Sequence, residues 1–370
     1  MQSILEINTL DQLAAFRTDW GKLLAETPGA TFFQSYQWLE AYWRHFGAGK
    51  TLRTVIVLED DRTVGIVPLI VRMEETRVGR LRVLTYPLDN WGSFYGPIGA
   101  DPGGALKAAM EHIRHTPRDW DMIELRWIGG PGTDWRQSQN AMRSAGYQAY
   151  STLWNRTAVA DFSAGWEDYA SGRKGIWLRR IRQTEEKLFR QGKVEYIRCR
   201  PAGKEHGDGD PHWDIYDACE AIARSSWQAG ATDGTTLSHE AVRAFLREVH
   251  ALAAECGAAD MNLLMFDCRP AAFIYGYHYR GCGYGLRRGF DAELSRTGLG
   301  TVLLWNTLKD CALRGDRVYD MGIGSPESKR HFQNRVMPIF RLSHFPCSSL
   351  RTQFLRFGRW LEGRRLCGVS

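Results

Sequence analysis

The most informative pattern of apolar and polar positions lies in the second half of the chain, between residues 261 and 321. Two apolar runs joined by the short turn 268–270 predict a β-hairpin, and a third run with glycine punctuation predicts a further strand. In chain order the predicted elements are strands at 261–267, 271–279 and 283–290, a glycine turn at 295–301, a helix at 302–314 and a strand at 318–321.

The glycine turn is the first pattern with a functional meaning. Where such a turn opens a helix directly after a strand, backbone N–H groups point outward at the positive end of the helix dipole. Gly298 and Gly300 supply a turn of this kind, which predicts a binding site for a diphosphate. The alternative is that the Gly-x-Gly pattern is present only because a chain reversal requires positive φ.

The first half repeats this order of elements without repeating the sequence. Its strands, turn and helix are predicted at 53–58, 64–72, 81–86, 102–104 (glycine turn), 105–115 (helix) and 121–126. In both halves a short helix follows the last strand, at 134–145 and at 327–334. A chain of 370 residues is long enough for two ordinary domains, and we predict domains at 1–162 and 163–347 with a basic tail at 348–370.

The order of elements in the second half resembles the Gcn5-related N-acetyltransferase (GNAT) fold, in which a hairpin and a long strand precede the CoA loop and its helix. The loop pattern of that family is Arg/Gln-x-x-Gly-x-Gly/Ala. Gly298 and Gly300 match it, and Ser295 replaces the Arg or Gln. The resemblance implies an α/β (α+β) protein with tandem GNAT-like (FemABX-like) domains, each a mixed twisted sheet flanked by helices.

A narrower resemblance covers nearly the whole chain. The CelD-like (BioF2-like) acetyltransferases, relatives of the FemABX peptidyltransferases, show an early F-x-x-x-x-W segment, a basic helix opening the second domain, a D…GT-x-LL loop and a D-x-G…YK close. The matching positions here are Phe33 with Trp38, the helix 174–190, Asp291 with 300–304, and 320–322 with Lys329, while Ser328 replaces the Tyr. This family is often associated with exopolysaccharide or cellulose biosynthesis, which implies a sugar or nucleotide-sugar acceptor.

Composition narrows the class of protein. Apolar residues make up 44% and charged residues 24% of the chain, as in ordinary globular proteins. No apolar run approaches the roughly 20 residues of a membrane span, and the start lacks a signal-peptide pattern, so a cytoplasmic protein is expected. The cysteines show no paired spacing, which predicts reduced thiols and no metal site. A net charge of +6 without a recognition motif favours anionic small molecules or an acidic membrane surface over nucleic acid.

Acyl transfer needs an oriented nucleophile, a route for its proton and donors that polarise the thioester carbonyl. In the resembled fold the base comes from the region of the strand before the CoA loop, which gives the catalytic candidates His278, Asp291 and Asp320. His278 is either a base near neutrality or an inert histidine on a sheet face. Asp291 could orient a substrate or cap the turn. Asp320, inside an apolar strand, is either a functional carboxylate or the partner of an arginine.

Residues in and beside the glycine turn are the candidates for donor binding. Arg287 and Arg288 are neighbours on one predicted strand, so we expect one to reach a pyrophosphate or anionic substrate and the other to be solvated or ion-paired. With the backbone of the turn they form the predicted acyl-CoA site, which comprises Arg287, Arg288, Thr297, Gly298, Leu299, Gly300 and Thr301.

Five residues are candidates for contact with the substrate. Lys329 matches the family pattern, Lys174 and Trp177 lie on the basic amphipathic helix, and Trp91 and Tyr95 lie in the glycine-rich loop 90–96. The plainer alternatives are a solvated surface lysine, an arginine-rich helix face over a packed stripe, and aromatic side chains that fill a domain interface.

The tail is also basic and amphipathic. Leu350, Phe354, Phe357 and Leu361 share one helical face, and arginines occupy other positions. Such a helix could lie on an anionic membrane or pack back onto its own domain.

The sequence as a whole predicts a cytoplasmic acyltransferase, with the tail offering peripheral contact to the inner membrane. The enzyme would transfer an acetyl or longer acyl group directly from acyl-CoA to an amine or hydroxyl of a sugar or sugar-linked intermediate of cell-surface polysaccharide synthesis, without a metal. The second domain would bind the donor and the first would shape the acceptor cleft. Two alternatives remain: FemABX-type aminoacyl transfer from tRNA to a peptidoglycan precursor, and a non-catalytic scaffold of a polysaccharide synthase complex, which Ser295 and Ser328 favour.

Overall fold

The computed structural model describes residues 2–89, 91–129, 135–226, 236–324 and 326–367. The chain forms two compact units. Unit 1 comprises residues 1–88, 94–155 and 338–370, and unit 2 comprises residues 89–93 and 156–337. This division assigns the final segment to unit 1, whereas the sequence predicted a second domain reaching residue 347 and a separate tail. The functional roles of the two domains stay predictions.

Both units are built from strands and helices. The strands are β1 (Gln2–Ile7), β2 (Thr51–Leu52), β3 (Thr54–Glu59), β4 (Arg62–Val67), β5 (Ile70–Thr76), β6 (Gly79–Thr85), β7 (Met122–Ile128), β8 (Tyr150–Asp161), β9 (Val194–Cys199), β10 (Ala259–Phe266), β11 (Arg269–Tyr279), β12 (Cys282–Phe290), β13 (Val318–Asp320) and β14 (Arg335–His344). The α-helices are α1 (Leu10–Ala14), α2 (Arg17–Glu26), α3 (Tyr36–Phe46), α4 (Pro102–His115), α5 (Trp135–Ser144), α6 (Trp166–Ser171), α7 (Gly175–Gln191), α8 (Trp213–Ser225), α9 (Glu240–Glu255), α10 (Leu299–Leu313), α11 (Pro326–Lys329) and α12 (Leu350–Cys367).

Unit 1 contains two groups of paired strands. One has the order β1-β3-β4 and the other the order β2-β5-β6-β7-β14-β8, in which β6 and β7 run parallel. The predicted strand 64–72 is in fact β4 and β5, which are separated at Pro68, a residue that lacks the N–H needed to continue a ladder.

The glycine turn predicted at 102–104 was wrong. These residues form the first turn of α4, with Asp101 as its N-cap and an Asp101 oxygen accepting from the Gly104 N–H at 2.9 Å. Proline suits the first helical position because its missing N–H would have no partner there. Unit 1 therefore has no glycine loop at this position that could hold a phosphate.

Unit 2 confirms the order of elements predicted between residues 261 and 321. Its strands follow the order β8-β13-β12-β11-β10-β9, with β12 and β13 parallel and the other measured pairs antiparallel. Helix α10 supplies much of the core, through buried side chains such as Val302 and Leu308 that pack with strand residues such as Ala272 and Ile274. The short helix predicted at 327–334 is limited to α11.

A bulge interrupts the ladder between β11 and β12. The register shifts between Tyr275 and Tyr277, and a Cβ atom on Gly276 would lie only 1.7 Å from the carbonyl oxygen of Tyr284. No side chain fits there, so the bulge requires glycine. It precedes the part of β12 that lines the cavity described below.

Helix α12 packs onto the rest of unit 1 through the side that carries Thr352 and Leu355, and not through its apolar stripe. Thr352 and Leu355 are buried, whereas Leu350, Phe354 and Phe357 are 77%, 68% and 55% exposed. The apolar stripe seen in the sequence therefore faces away from the unit that carries it. Among the described residues, no helix is long and apolar enough to cross a membrane.

Candidate active site

The glycine turn of unit 2 leads directly into α10. Gly298 has a φ of +82°, and a Cβ there would lie 2.7 Å from the Thr184 methyl group on α7, so the turn depends on glycine for both conformation and space. No described side chain caps α10 at its N-terminus. The N–H groups of Thr301 and Val302 both bond to the Gly298 carbonyl. The preceding N–H groups have no partner inside the helix and lie at the positive end of its dipole.

A cavity of about 810 Å³ opens beside this turn. The parallel pairing of β12 with β13 covers only Cys282–Tyr284 against Val318–Asp320, and the cavity lies along the following part of β12. Its lining comes from the ends of several elements and includes Phe273, Ile274, Gly285, Leu286, Arg287, Arg288, Gly289, Phe290, Leu294, Gly298, Leu299, Gly300, Thr301, Leu304, Met321, Ile323, Gly324, Ser328, Lys329 and Phe332. Among the described lining residues there are three cations and no carboxylate, so the cavity favours an anionic ligand.

Lys329 places a buried ammonium group in this cavity. Its Nζ donates to the carbonyl oxygens of Gly322 at 2.6 Å and Ile323 at 2.9 Å, and the residue is 4% exposed. Burial, together with the nearby charge of Arg288, lowers the pKa of Lys329 to about 8. The side chain is thus a charged donor at neutral pH that can lose its proton under mildly alkaline conditions.

Asp320 ends β13 and is 2% exposed. One carboxylate oxygen accepts hydrogen bonds from the Thr157 hydroxyl and from the Gly322 N–H, the latter at 2.8 Å. The other oxygen accepts no well-formed hydrogen bond from the described residues, although the Ser93 side chain lies close enough to the carboxylate to lower its pKa. Burial raises the pKa of Asp320, although Thr157, Gly322 and the charge of Lys329 oppose the rise. The arginine partner that the sequence allowed for Asp320 is replaced by Thr157.

The two arginines of β12 both line the cavity. Arg288 donates to the Ser328 hydroxyl at 2.7 Å, and its burial lowers the pKa of the guanidinium. Arg287 is 6% exposed and donates to the carbonyl oxygen of Trp91 at 3.3 Å. One of the two arginines was expected to be solvated or ion-paired; Arg287 is buried and Arg288 is half-buried, and both donate hydrogen bonds within the unit.

Comparison with known families links the glycine turn and its cavity to a family of acetyltransferases. A family profile for the acetyltransferase (GNAT) domain matches residues 177–330, which include the glycine turn, α10, Asp320 and Lys329. Residues 177–330 form a GNAT acetyltransferase domain. No curated protein matches the chain significantly.

Solved structures show the same fold over nearly the whole chain. FemX aligns with a TM-score of 0.58 at 11% identity, covering 92% of this chain and 96% of FemX. The C-terminal DUF2156 domain of a proposed lysylphosphatidylglycerol synthetase from Agrobacterium fabrum aligns with a TM-score of 0.57 at 12% identity, covering 92% and 95%. A conserved protein of unknown function from Bacteroides thetaiotaomicron aligns with a TM-score of 0.52 at 12% identity, covering 94% and 100%. These likenesses show the fold, and the GNAT domain at residues 177–330 identifies the chain as an acyltransferase.

The structure places His278 away from the cavity of the GNAT domain. Its charged neighbours are Arg200 and Asp260, and Arg200 also contacts the Cys311 sulfur at 3.3 Å. Cys311 lies toward the C-terminal end of α10, about 18 Å along the helix axis from its first residue at a rise of 1.5 Å per residue. Burial and the charge of Arg200 lower the pKa of His278 to about 4. The imidazole is therefore neutral and lies outside the cavity lining.

Two other predicted residues serve the turn itself. Asp291 caps the 3₁₀ helix Ala292–Thr297 by accepting from the Glu293 N–H at 2.9 Å, and the Thr297 hydroxyl donates to the Leu294 carbonyl at 2.6 Å. Both contacts hold the segment that leads into Gly298. The side chain of Ser295 lies outside the described part of the structure.

The predicted substrate residues of α7 are not among the cavity-lining residues. Lys174 is exposed at the N-cap position of the helix. Trp177 packs into an aromatic cluster with Trp305 at 5.4 Å and Phe332 at 5.0 Å between ring centroids. Phe332 lines the cavity, so Trp177 packs against a lining residue without being one itself.

The two aromatic residues of the loop 90–96 belong to different units. Trp91 lies in unit 2, 5.1 Å from Phe245 between ring centroids, and its carbonyl accepts from Arg287. Tyr95 belongs to unit 1, is fully buried and packs 5.2 Å from Tyr86. Tyr95, a candidate for substrate contact, is therefore not among the residues that line the cavity.

Sequence reasoning missed Thr157 and the apolar wall formed by Phe273 and Phe290. Thr157 lies 163 positions before the carboxylate that it contacts, so no local pattern could reveal the pair. Phe273 could have been found, since it is one of the large residues of a predicted strand that precedes the glycine turn.

Proposed function

We propose that the chain is an acyl-CoA-dependent N- or O-acyltransferase, with acetyl-CoA as the simplest donor and the cavity of the GNAT domain as the donor site. The observation that carries the proposal is the meeting of an uncapped helix N-terminus, a glycine turn and three cations in one cavity. A diphosphate would accept hydrogen bonds from the first N–H groups of α10. The cavity volume of about 810 Å³ lies within the range of small-molecule sites.

Transfer would proceed directly from the thioester to the acceptor. The acceptor nitrogen or oxygen forms a bond to the carbonyl carbon, the C–S bond breaks, and CoA leaves as the thiol after taking up a proton. Asp320 does not line the cavity, so it is the candidate to receive the acceptor's proton through an intervening group such as a water molecule. Its raised pKa suits a base that must release the proton again, and one of its oxygens accepts no well-formed hydrogen bond from the described residues. Lys329 would bring positive charge to the carbonyl oxygen as it becomes an oxyanion.

The acceptor belongs to the proposal and rests on the CelD-like resemblance. We infer an amine or hydroxyl of a sugar or nucleotide sugar, as part of a cell-surface polysaccharide intermediate. The cationic lining of the GNAT cavity is compatible with a second anionic group on such an acceptor. A cytoplasmic enzyme working close to the inner membrane would meet both substrates.

Aminoacyl transfer is the second candidate, because the chain shares its fold with FemX and with the domain of the proposed lysylphosphatidylglycerol synthetase. In that case the donor would be an aminoacyl-tRNA and the acyl group an amino acid. A non-catalytic scaffold is the remaining alternative, and it would bind neither donor.

The test is calorimetric titration with acetyl-CoA and with longer acyl-CoAs. Gly300→Glu is the informative variant, because Gly300 lines the cavity and an added Cβ there meets only a Phe290 ring carbon at 3.4 Å. A change at Gly298 would disturb the turn itself. Gly300→Ala adds the Cβ without the charge. Gly21→Glu places the same charge on α2 of unit 1, where nothing lies within 4 Å of the added Cβ.

The wild type, Gly300→Ala and Gly21→Glu are expected to bind acyl-CoA. Gly300→Glu should bind at least about fivefold more weakly, since like charges near 4 Å repel by roughly 1 to 4 kcal/mol. Equal affinity of Gly300→Glu and wild type would remove the diphosphate from this turn. If the wild type binds no acyl-CoA, aminoacyl-tRNA is tested next, and failure there leaves the scaffold.

A further inference from the structure

The outer face of α12 presents an apolar stripe to the surroundings of unit 1. Leu350, Phe354, Phe357 and Leu361, which we call the tail stripe, are 77%, 68%, 55% and 40% exposed. Their spacing places them on one side of the helix, opposite the buried Leu355. The tail stripe is exposed because the opposite side of α12 makes the contact with the rest of unit 1.

A basic cavity lies along one edge of the tail stripe. It has a volume of about 830 Å³, and its lining residues include Arg143, Arg356 and Arg359 together with the aromatic residues Tyr150 and Phe357. Arg356 donates to the neutral Tyr150 hydroxyl at 2.8 Å, whereas Arg359 pairs with the buried carboxylate of Glu124. No described residue of the lining is acidic.

We propose that the tail stripe and this basic cavity bind the surface of an anionic lipid bilayer. A helix with an apolar face and a cationic flank lies in the plane of the membrane, with its apolar side chains at the boundary between headgroups and acyl chains. Aromatic residues favour that depth, and guanidinium groups bind phosphate with two parallel hydrogen bonds. The stripe supplies the apolar contact, and Arg143 and Arg356 face the lipid phosphates.

Charge distinguishes the bilayer from a second copy of this chain as the occupant. Helix α12 carries five arginines and one glutamate in the sequence LRTQFLRFGRWLEGRRLC. A two-fold contact through the stripe would bring two such helices together and set like charges against each other. An anionic membrane surface attracts the same residues, by roughly 1 kcal/mol for each arginine near the surface. The proposal requires no acyl donor, so it can fail or succeed independently of the proposed function.

The test is flotation of the full chain with vesicles of phosphatidylcholine alone and of phosphatidylcholine mixed with phosphatidylglycerol. The variant Phe354→Ser/Phe357→Ser removes the centre of the stripe, and Arg356→Gln removes a charge at its edge. Leu313→Ser is the matched control, because Leu313 is 69% exposed on α10 and is therefore as accessible as Phe354. Thermal denaturation of each variant checks that the fold is retained.

We expect the wild type and Leu313→Ser to float with the phosphatidylglycerol vesicles and not with phosphatidylcholine alone. The double variant should lose binding, and Arg356→Gln should bind about fivefold more weakly. Absence of wild-type binding, or equal losses for Leu313→Ser and the double variant, would overturn the proposal. It would also be overturned if sedimentation showed a wild-type dimer that the double variant dissociates, since the stripe would then be a self-association surface.

Discussion

Replacing Lys329 by methionine tests whether the cavity of the GNAT domain contains a buried ammonium group. Methionine keeps most of the length of the side chain and removes the charge. In the wild type the Nζ donates to two carbonyl oxygens at 2.6 and 2.9 Å, and burial with the charge of Arg288 lowers the pKa from 10.5 to about 8. The unfolded chain should instead lose this proton near its ordinary value.

The sign of the effect on stability follows from these two pKa values. Below pH 8 both states carry the proton, and the folded state bears the full cost of burying the charge. Between pH 8 and about 10.5 the folded state has released the proton and the unfolded state has not, so the free energy of unfolding rises with pH. At about 1.4 kcal/mol for each pH unit, the whole interval corresponds to about 3 kcal/mol.

The assay is urea denaturation of the wild type and Lys329→Met between pH 7 and pH 10. Subtracting the two curves removes the contribution of tyrosines and other groups that titrate in both proteins. We expect the wild type to gain about 2 kcal/mol relative to the variant over this range. Lys22→Met is the control, since the Lys22 side chain is 71% exposed, and its profile should run parallel to the wild type. A flat difference for Lys329→Met would refute the buried ammonium.

Three further substitutions probe other parts of the structure. Asp320→Asn should lower kcat about a hundredfold or more while acyl-CoA affinity in the titration stays near wild type, because the amide cannot accept a proton; an unchanged kcat would remove Asp320 as the base. Glu124→Ala should lower the free energy of unfolding at pH 7 by about 3 to 5 kcal/mol, since the fully buried carboxylate pairs with Arg126 and Arg359. Burial alone would raise the pKa of Glu124, but the neighbouring arginines lower it to about 2. The wild type should therefore lose stability relative to the variant as the pH falls from 4.5 to 2. Parallel stability profiles of the two proteins in acid would contradict this. Gly276→Ala should destabilise the protein by at least about 1 to 3 kcal/mol in urea denaturation, because its Cβ meets the Tyr284 carbonyl; wild-type stability would mean that the bulge can relax.

The elements of unit 2 were predictable because each is signalled locally. The hairpin, the glycine turn and α10 follow one another within 60 residues, and each has its own periodicity or punctuation. The cations at 287, 288 and 329 were found for the same reason, since they adjoin those elements in the sequence. What the sequence could not show was the contact of Asp320 with Thr157, which comes from a strand of a distant segment.

Two predictions show how the same residue types serve different structures. Pro102-Gly-Gly suggested a turn by analogy with the second half, yet the Asp101 cap makes it the start of a helix. Tyr95 was a candidate for substrate contact because it lies in a loop with other aromatic residues, but its side chain is fully buried in unit 1. In α12 the apolar periodicity was correct, and only the docking decides which side faces outward.

The assignment of residues 338–370 to unit 1 has a consequence for synthesis of the chain. Domains of most proteins fold in the order in which they leave the ribosome. Here β7 pairs with β14, so Ile123 can form its ladder contact with His344 only after more than half of the chain has been made in between. Unit 2 is complete once residue 337 has been made, whereas unit 1 still lacks an inner strand and its final helix. The later part of the chain can therefore reach its native form first, and the earlier part must stay soluble until the residues from 338 onward have been made.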